Sequence, residues 1–523
     1  MPRGAGGAEA PHRWLITVSV LTGTIMAVLD ASIVNVALPD MSGSLGASIT
    51  EITWVIAGYM LANVVIMPII ALLSARFGRK RFYLANIVLF TGASMLCGMA
   101  RSLPLMVVFR ILQGIGGGVL MTVSQAILRE TFPPEEQGLA MGLYGMGVVV
   151  APAVGPTLGG WLTDTYSWPW IFFINVPLGA LCLFLVGRFV HDPPYLVRDR
   201  GSIDWLGVAL MTIGLGSLQL MLEKGVEKDW FESGMIVALA FMAAIALAGF
   251  IWRELKTERP AVDLSLTRNV SFSSATFLGG ILGMGLYGSL FILPLFLQRL
   301  LGYSAMESGL ALSPRSITMA VVMPLSGFLY NRIGPRLLVA AGLAVSAYSF
   351  YELSHLTTQT STMSILVPQI WQGVGFGLIF VALSTAALAT IPRPRVTAAA
   401  GLYNVVRQVF GSVGVALAAT ELSTSTTRYH AILSTSVTPY DEAVRRWLAA
   451  AQGGFARVSA DSLEAAHRAL AALDRTVLGQ ATVMAYNHSF LLVAMLFAIT
   501  IPLAFLLRHH RGGETSEAIP VEA

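Results

Sequence analysis

The chain has 523 residues and a formal net charge of +4; 55% of its residues are hydrophobic, only 12% are charged, and the mean hydropathy is +0.70. A soluble domain carries about 25% charged residues, so a soluble enzyme is excluded, and the basic residues form no nucleic-acid-binding patch but sit in short loops between apolar runs. Those runs are about 20 residues long, which points to membrane helices rather than to the short alternating strands of a barrel. The 51 glycines suit close helix contacts in lipid. Cys97 and Cys182 both lie inside apolar runs, so no disulfide framework is expected.

Residues 1–13 are rich in Gly, Ala and Pro and are expected to be disordered. The first span, Trp14 to Leu38, is expected to be retained rather than cleaved, and it holds one acid, Asp30, near its middle. An acid at that depth costs on the order of 2.5–3.5 kcal/mol. It has to face the protein interior or a water path, and by default it marks an ion or substrate route. Asp30 is therefore expected to take up and release a proton, its affinity alternating with its solvation and with the distance of a nearby cation. The plain alternative is a satisfied polar group that only fixes helix packing.

A second span covers about Ile52–Ser74 and is followed by a basic loop, Ala75 to Arg81. The next four run over about Phe82–Ala100, Leu103–Ile127, Leu139–Leu162 and Ile171–Val190. Two more follow at Ile203–Leu222 and Ser233–Trp252. The last six are Phe272–Leu297, Gly309–Tyr330, Leu337–Leu356, Ser364–Ala389, Ala398–Glu421 and His488–Leu507, for about fourteen in all. With the N-terminus inside, most Arg and Lys residues of the short loops fall on the inner side, which places both termini in the cytoplasm. The long segment Leu422–Asn487 then lies outside. The helical spacing of Tyr440–Gly453 and Ala460–Leu478 predicts a small amphipathic hairpin there.

The chain repeats itself. Arg76-Phe77-Gly78 matches Arg332-Ile333-Gly334, and Gln113-Gly114-Ile115-Gly116 matches Gln372-Gly373-Val374-Gly375, at separations of 256 and 259 residues. The expected organisation is a six-helix bundle over 14–190, two inserted helices over 203–252, a second six-helix bundle over 272–507 that includes the loop 422–487, and a cytoplasmic tail over 508–523. Parallel six-span repeats belong to transporters whose halves rock about a central site.

Several residues carry chemistry. Arg110 is a cation inside the apolar fourth span and needs an anion or oriented carbonyls. In the fifth span, Pro152 and Pro156 interrupt the helical hydrogen bonding, while Gly155 and Gly159 allow another helix close. Arg315 and Arg407 are further buried cations in the second half, and Glu352 and Glu421 are candidate acids near the outer ends of their spans. Tyr144, Tyr287, Phe291, Phe296, Trp371, Phe376 and Tyr403 are candidates for an apolar pocket, each weighed against plain core packing or lipid contact. Gln113 and Gln372, on symmetry-related helices, are candidate polar groups of that pocket. There is no phosphate-binding Gly-x-x-x-x-Gly-Lys-Ser/Thr, no His-Glu-x-x-His and no Gly-x-Ser-x-Gly, so neither ATP nor a hydrolytic site is indicated.

Almost the whole chain resembles the major facilitator superfamily, and within it the fourteen-span drug:proton antiporters of the EmrB/QacA type. The resemblance is carried by Leu29 to Pro39, by Gly78-Arg79-Lys80-Arg81, by Arg110 with Gln113 to Gly116, and by Pro152 with Gly155 to Gly160. Asn404 to Arg407, Gly411 to Gly414 and Gln480 to Asn487 are similar to the EmrB branch in particular. The resemblance implies an all-α polytopic major facilitator fold of two six-helix bundles plus two inserted helices. It implies proton-coupled export of hydrophobic or amphipathic compounds from a bacterial inner membrane. The proton gradient would be the energy source, with no cofactor, metal or nucleic acid. A periplasmic adaptor and an outer-membrane channel would be partners where the cell has two membranes. Asp30 and Arg110 would couple protons. Asn35, Gln113, Tyr144, Tyr287, Phe291, Gln372, Tyr403 and Arg407 would meet substrate. Arg79, Arg81, Pro152, Gly155, Pro156 and Gly159 would form the gate and the antiporter motif. One departure stands out: Ala75 occupies a position where the family commonly has an acid. The runner-up function is export or import of one specific metabolite by the same fold; an intramembrane enzyme, a channel or a sensor fits the repeat less well.

Overall fold

The computed structural model describes residues 10–193, 201, 203–257, 259–438, 440–457 and 462–508, and no strand occurs among them. In lipid each backbone N–H and C=O needs a partner within the protein, and a helix supplies it locally. The expected disorder of residues 1–9 and the tail over 509–523 lie outside the described residues. Residues 10–13, also expected to be disordered, instead form the first turn of a helix.

The first bundle consists of α1 (Ala10–Leu45), α2 (Thr50–Phe77), α3 (Arg79–Gly98), α4 (Leu103–Thr131), α5 (Gln137–Thr165) and α6 (Trp170–Phe189). Next come α7 (Trp205–Lys224) and α8 (Gly234–Glu254), which pack on each other. The second bundle contains α9 (Val270–Arg299), α10 (Ala305–Ile333), α11 (Pro335–Leu353), α12 (Thr362–Ala389), α13 (Val396–Ser436) and, after the short α14 (Glu442–Ala456), α15 (Ser462–Thr500). The packing repeats. The contacts α1–α5, α2–α4 and α3–α4 in the first bundle recur as α9–α13, α10–α12 and α11–α12 in the second.

Twelve helices among the described residues are long and apolar enough to cross a membrane. α10 and α11, which complete the fourteen expected spans, have spanning length but are more polar. Pro314, Arg315, Pro324, Asn331 and Arg332 dilute α10, and Arg336 and Glu352 dilute α11. Helix ends also differ from expectation. α1 continues through Pro39 to Leu45, and α2 passes Pro68 by a 3-10 turn over Met67–Ile69, because neighbouring helices can satisfy the backbone groups that proline frees.

The largest difference is at the loop 422–487. α13 runs on for 41 residues and α15 for 39, so the last expected span is only the end of a longer helix. No Pro or Gly stands between Glu421 and Ser436 to stop α13. At about 1.5 Å per residue both helices come to roughly 60 Å, twice the hydrocarbon thickness. His430 Nε2 and Asp474 Oδ1, 2.9 Å apart, tie the projecting arms together, and α14 packs on α15.

The two bundles meet along α5–α10 and α2–α13. At one end the seam is backbone on backbone: Gly138 against Gly327, Gly142 against the Met323 carbonyl, and Gly401 against the Met67 carbonyl. Arg129 donates to the carbonyls of Leu388 and Ala389, and Asn331 to that of Glu135, across the same end. Toward the other end of α5, Val150 and Val154 are 40% and 46% exposed, and nothing stands against Gly309 of α10. The seam is thus shut on the face that carries the basic loops. The inserted pair bridges both bundles through α7 and its following turn. Lys224 Nζ reaches Thr53 Oγ1 (2.7 Å), Gln219 Nε2 reaches Ser412 Oγ (2.8 Å) and Trp230 Nε1 reaches Thr420 Oγ1 (2.8 Å).

Candidate proton and substrate sites

Asp30 is fully buried inside the first bundle, where α4 and α6 reach it. Arg110 Nη1 from α4 lies 2.5 Å from Oδ2. Gln113 Nε2, one turn further along α4, donates to Oδ1 at 2.7 Å, and Asn175 Nδ2 from α6 donates to the same oxygen at 2.8 Å. Arg110 is held in turn by the Gln113 Oε1 (2.8 Å) and the Val55 carbonyl (3.1 Å), and its guanidinium lies 4.3 Å from the Tyr59 ring centroid. Asn175 is anchored on Ser94 Oγ (3.0 Å), which donates to the Phe172 carbonyl. Every arm of the carboxylate is therefore engaged. Removing one member of such a buried pair strands the other, at a cost of about 3–5 kcal/mol. Sequence reading found Asp30 and Arg110 because charge in an apolar run is conspicuous. It missed Asn175, Ser94 and Tyr59, whose only signal is a neutral polar group among many. Gln113, read as a pocket residue, is committed to this network.

A second cluster lies where the bundles meet. Tyr144 of α5 stands among Tyr287 of α9 and Tyr403 and Arg407 of α13, so four of the residues expected to meet substrate come together from both halves. The Arg407 guanidinium lies 5.0 Å from the Phe380 ring centroid and 5.9 Å from that of Tyr403. Its Nη1 is buried without a hydrogen-bond partner among the described residues. Asn404 Nδ2 donates to Gln125 Oε1 of α4 at 2.8 Å, closing the base of the cluster. Asn35 is exposed on α1, little more than one turn beyond Asp30, and Phe291 is half-buried against the core of the second bundle. Gln372 lies within the second bundle, where its Oε1 accepts from Arg315 Nη1. Glu421 pairs with Ser425 and lies 3.5 Å from His488 at the root of the projecting arms, and Glu352 lies beside Tyr348; neither joins this cluster.

The gating residues divide. Arg79 is buried and paired with Glu130 of α4, which supplies the acid that is lacking at Ala75. Asp192 accepts from the Lys80 backbone N–H at 2.7 Å, a second carboxylate on the same loop. Arg81 is exposed. In α5, Pro152 and Pro156 sit within one continuous helix. Gly155 and Gly159 pack against Ser32 and Ile33 of α1, within the first bundle, and not against the other half. No group of His, Cys, Asp and Glu that could hold a metal occurs among the described residues.

Comparison with known proteins agrees with this architecture. Residues 20–415 match the major facilitator superfamily. The chain is 36% identical to the fatty acid resistance protein FarB of Neisseria gonorrhoeae over 95% of this chain and 97% of that one. It is 36% identical to the multidrug export protein EmrB of Haemophilus influenzae over 82% and 84%. The crystal structure of the human organic anion transporter MFSD10 shares the fold at a TM-score of 0.58 and 14% identity, covering 93% of this chain and 99% of that one. The chain belongs to the major facilitator superfamily, in the branch that contains EmrB.

Proposed function

We propose that this protein exports hydrophobic and amphipathic compounds in exchange for protons by alternating access. The observation that carries the reading is the closed network around Asp30: the one acid buried in α1 is bound to a cation, an amide pair and two further helices, so its protonation and the shape of the bundle change together. The relatives named for multidrug export and for fatty acid resistance support a broad amphipathic substrate range. The aromatic cluster of Tyr144, Tyr287, Tyr403 and Phe380 around Arg407 supplies a mainly apolar seat for such compounds. In this reading the basic face points to the cytoplasm, the membrane is the bacterial inner membrane, and the conformation is open to the outside. The long arms of α13 and α15 would then reach outward far enough to meet a periplasmic adaptor and, through it, an outer-membrane channel.

The test uses purified protein in vesicles loaded with a pH-sensitive dye. A proton gradient is imposed and candidate compounds are added. Substrate-driven proton flux is expected with the native chain. It should fall to background in Asp30→Asn, which keeps two amide contacts but loses the titratable group. It should partly return in Asp30→Glu, which tells coupling apart from folding. Undiminished flux in a folded Asp30→Asn protein overturns the proposal.

A further inference from the structure

The parallel repeat allows the Asp30 network to be compared with its counterpart in the second bundle. The 259 residues that separate Gln113 from Gln372 also separate Asp30 from Ser289 and Arg110 from Gln369. The counterpart keeps half of the arrangement. Arg315 Nη1 donates to Gln372 Oε1 at 3.1 Å, as Arg110 Nη1 donates to Gln113 Oε1 at 2.8 Å. Arg315 also donates to Ser289 Oγ at 3.0 Å, as Arg110 does to Asp30. The cation has changed helix, from α4 in the first bundle to α10 in the second, and still faces the same two positions.

The acid has not been kept. Ser289 carries no charge, and no carboxylate pairs with Arg315 among the described residues. In the first bundle the Nε2 of Gln113 donates to Asp30; in the second, the Nε2 of Gln372 has no acceptor among the described residues. Gln369, one turn before Gln372, has neither amide atom partnered among the described residues. Arg315 is 3% exposed, Ser289 1%, and both glutamines are fully buried. A buried guanidinium without an anion and a buried amide N–H without an acceptor are both costly. Arg315, bonded to both Ser289 and Gln372, gathers them at the place that corresponds to Asp30 in the first bundle.

We propose that Arg315, Gln372 and Ser289 form an anion seat that takes a monovalent anion from outside the chain. The guanidinium supplies the charge, and the Gln372 amide donates a hydrogen bond to it. Two sources share this chemistry: the acid group of an amphipathic substrate, and a chloride ion. The seat stands on geometry alone; only its assignment to a substrate's acid group rests on the export reading, and because the test measures binding rather than transport, failure of one does not imply failure of the other.

The experiment is thermal unfolding of the full-length protein in a non-ionic detergent. It is followed by tryptophan fluorescence, to which Trp371, next to Gln372, contributes. Potassium chloride and potassium 4-phenylbutyrate are titrated against potassium sulfate at matched ionic strength. The expected result is a saturable rise in Tm of a few degrees with at least one of the two probes. The rise should be absent in Arg315→Gln. Ser289→Asp rebuilds the first bundle's pairing and provides a variant that does not depend on Arg315→Gln folding. It should raise Tm in sulfate alone and abolish the response to the probes. A response to phenylbutyrate alone assigns the seat to the substrate's acid group; a response to chloride assigns it to the inorganic ion. The proposal is overturned if neither probe acts beyond sulfate, if Arg315→Gln responds like the native chain, or if Ser289→Asp keeps the full response.

Discussion

Helix α5 is used in two different ways along its length. From Gly138 to Gly145 its glycines press on α10 and α12 of the other bundle: Gly138 meets the Gly327 backbone, and Gly145 meets Met323 and Phe380. From Gly155 to Gly159 they press on α1, the helix that carries Asp30, meeting Ser32 and Ile33. Both contacts follow the same rule, since helices in lipid gain by close packing of small residues rather than by a hydrophobic driving force. They differ in what they join. The first crosses between the bundles, beside the hydrogen bonds of Arg129 and Asn331. The second joins α1 to α5 inside one bundle. The glycines that the resemblance places in the antiporter motif, Gly155 and Gly159, thus pack within one half, while Gly138, Gly142 and Gly145 nearer the start of α5 pack across the seam.

The comparison can be broken at either end, and the larger effect is expected at the seam. Gly327→Val drives a branched side chain into the Gly138 backbone. Overpacking of this kind costs about 1–3 kcal/mol. Because only the conformation shut on the basic face bears that cost, the ratio of conformers should shift roughly 5–150-fold. Asn404, 1% exposed at the base of the central cluster, serves as reporter when changed to Cys with Cys97 and Cys182 changed to Ala. Maleimide labelling there should speed up by a similar factor while Tm changes little. Gly159→Val is the contrasting case. Its added atoms meet the Ile33 side chain at 2.7 Å and the Ile33 carbonyl at 2.9 Å in every conformation that keeps α1 on α5. It should lower stability by about 1–3 kcal/mol, read as a drop in Tm, with labelling at the reporter unchanged. Equal labelling increases from both variants would remove the distinction between the two ends of α5.

The smallest expected effect lies where the inserted pair begins. Asp204 caps α7 by accepting from the Gly207 N–H at 3.1 Å, and pairs with Arg253 of α8 at 2.8 Å. The Arg253 guanidinium holds the Asp204 carboxyl below its usual range. A carboxyl lowered in the folded state contributes stability that is present above its unfolded value, about 4, and is lost as pH falls through the folded value. Asp204→Asn should therefore be slightly less stable than the native chain at pH 7, with the gap in Tm narrowing below about pH 4. A gap that stays constant with pH would mean that the ion pair is not its source.

Much of this protein was legible before any helix was placed. Membrane-spanning segments, the six-span repeat and the two charges Asp30 and Arg110 follow from local hydropathy and from the rarity of charge in apolar runs, which need no knowledge of contacts. Sequence spacing could not say which way each helix turns about its axis, and partners depend on that. The rotation of α4 puts Glu130 opposite Arg79, 51 residues away, where no acid was expected once Ala75 had been noted. The rotation of α6 puts Asn175 on Asp30, and that of α5 turns Gly159 to α1 and Gly138 to α10. The projecting arms of α13 and α15 were hidden as well, because a chain without helix breakers continues past the bilayer as readily as it stops there. The asymmetry between Arg110, paired with Asp30, and Arg315, with no carboxylate partner among the described residues, required both bundles side by side. Both cations, Arg110 and Arg315, are visible in the sequence, but which of them meets a carboxylate is decided by packing between residues far apart along the chain.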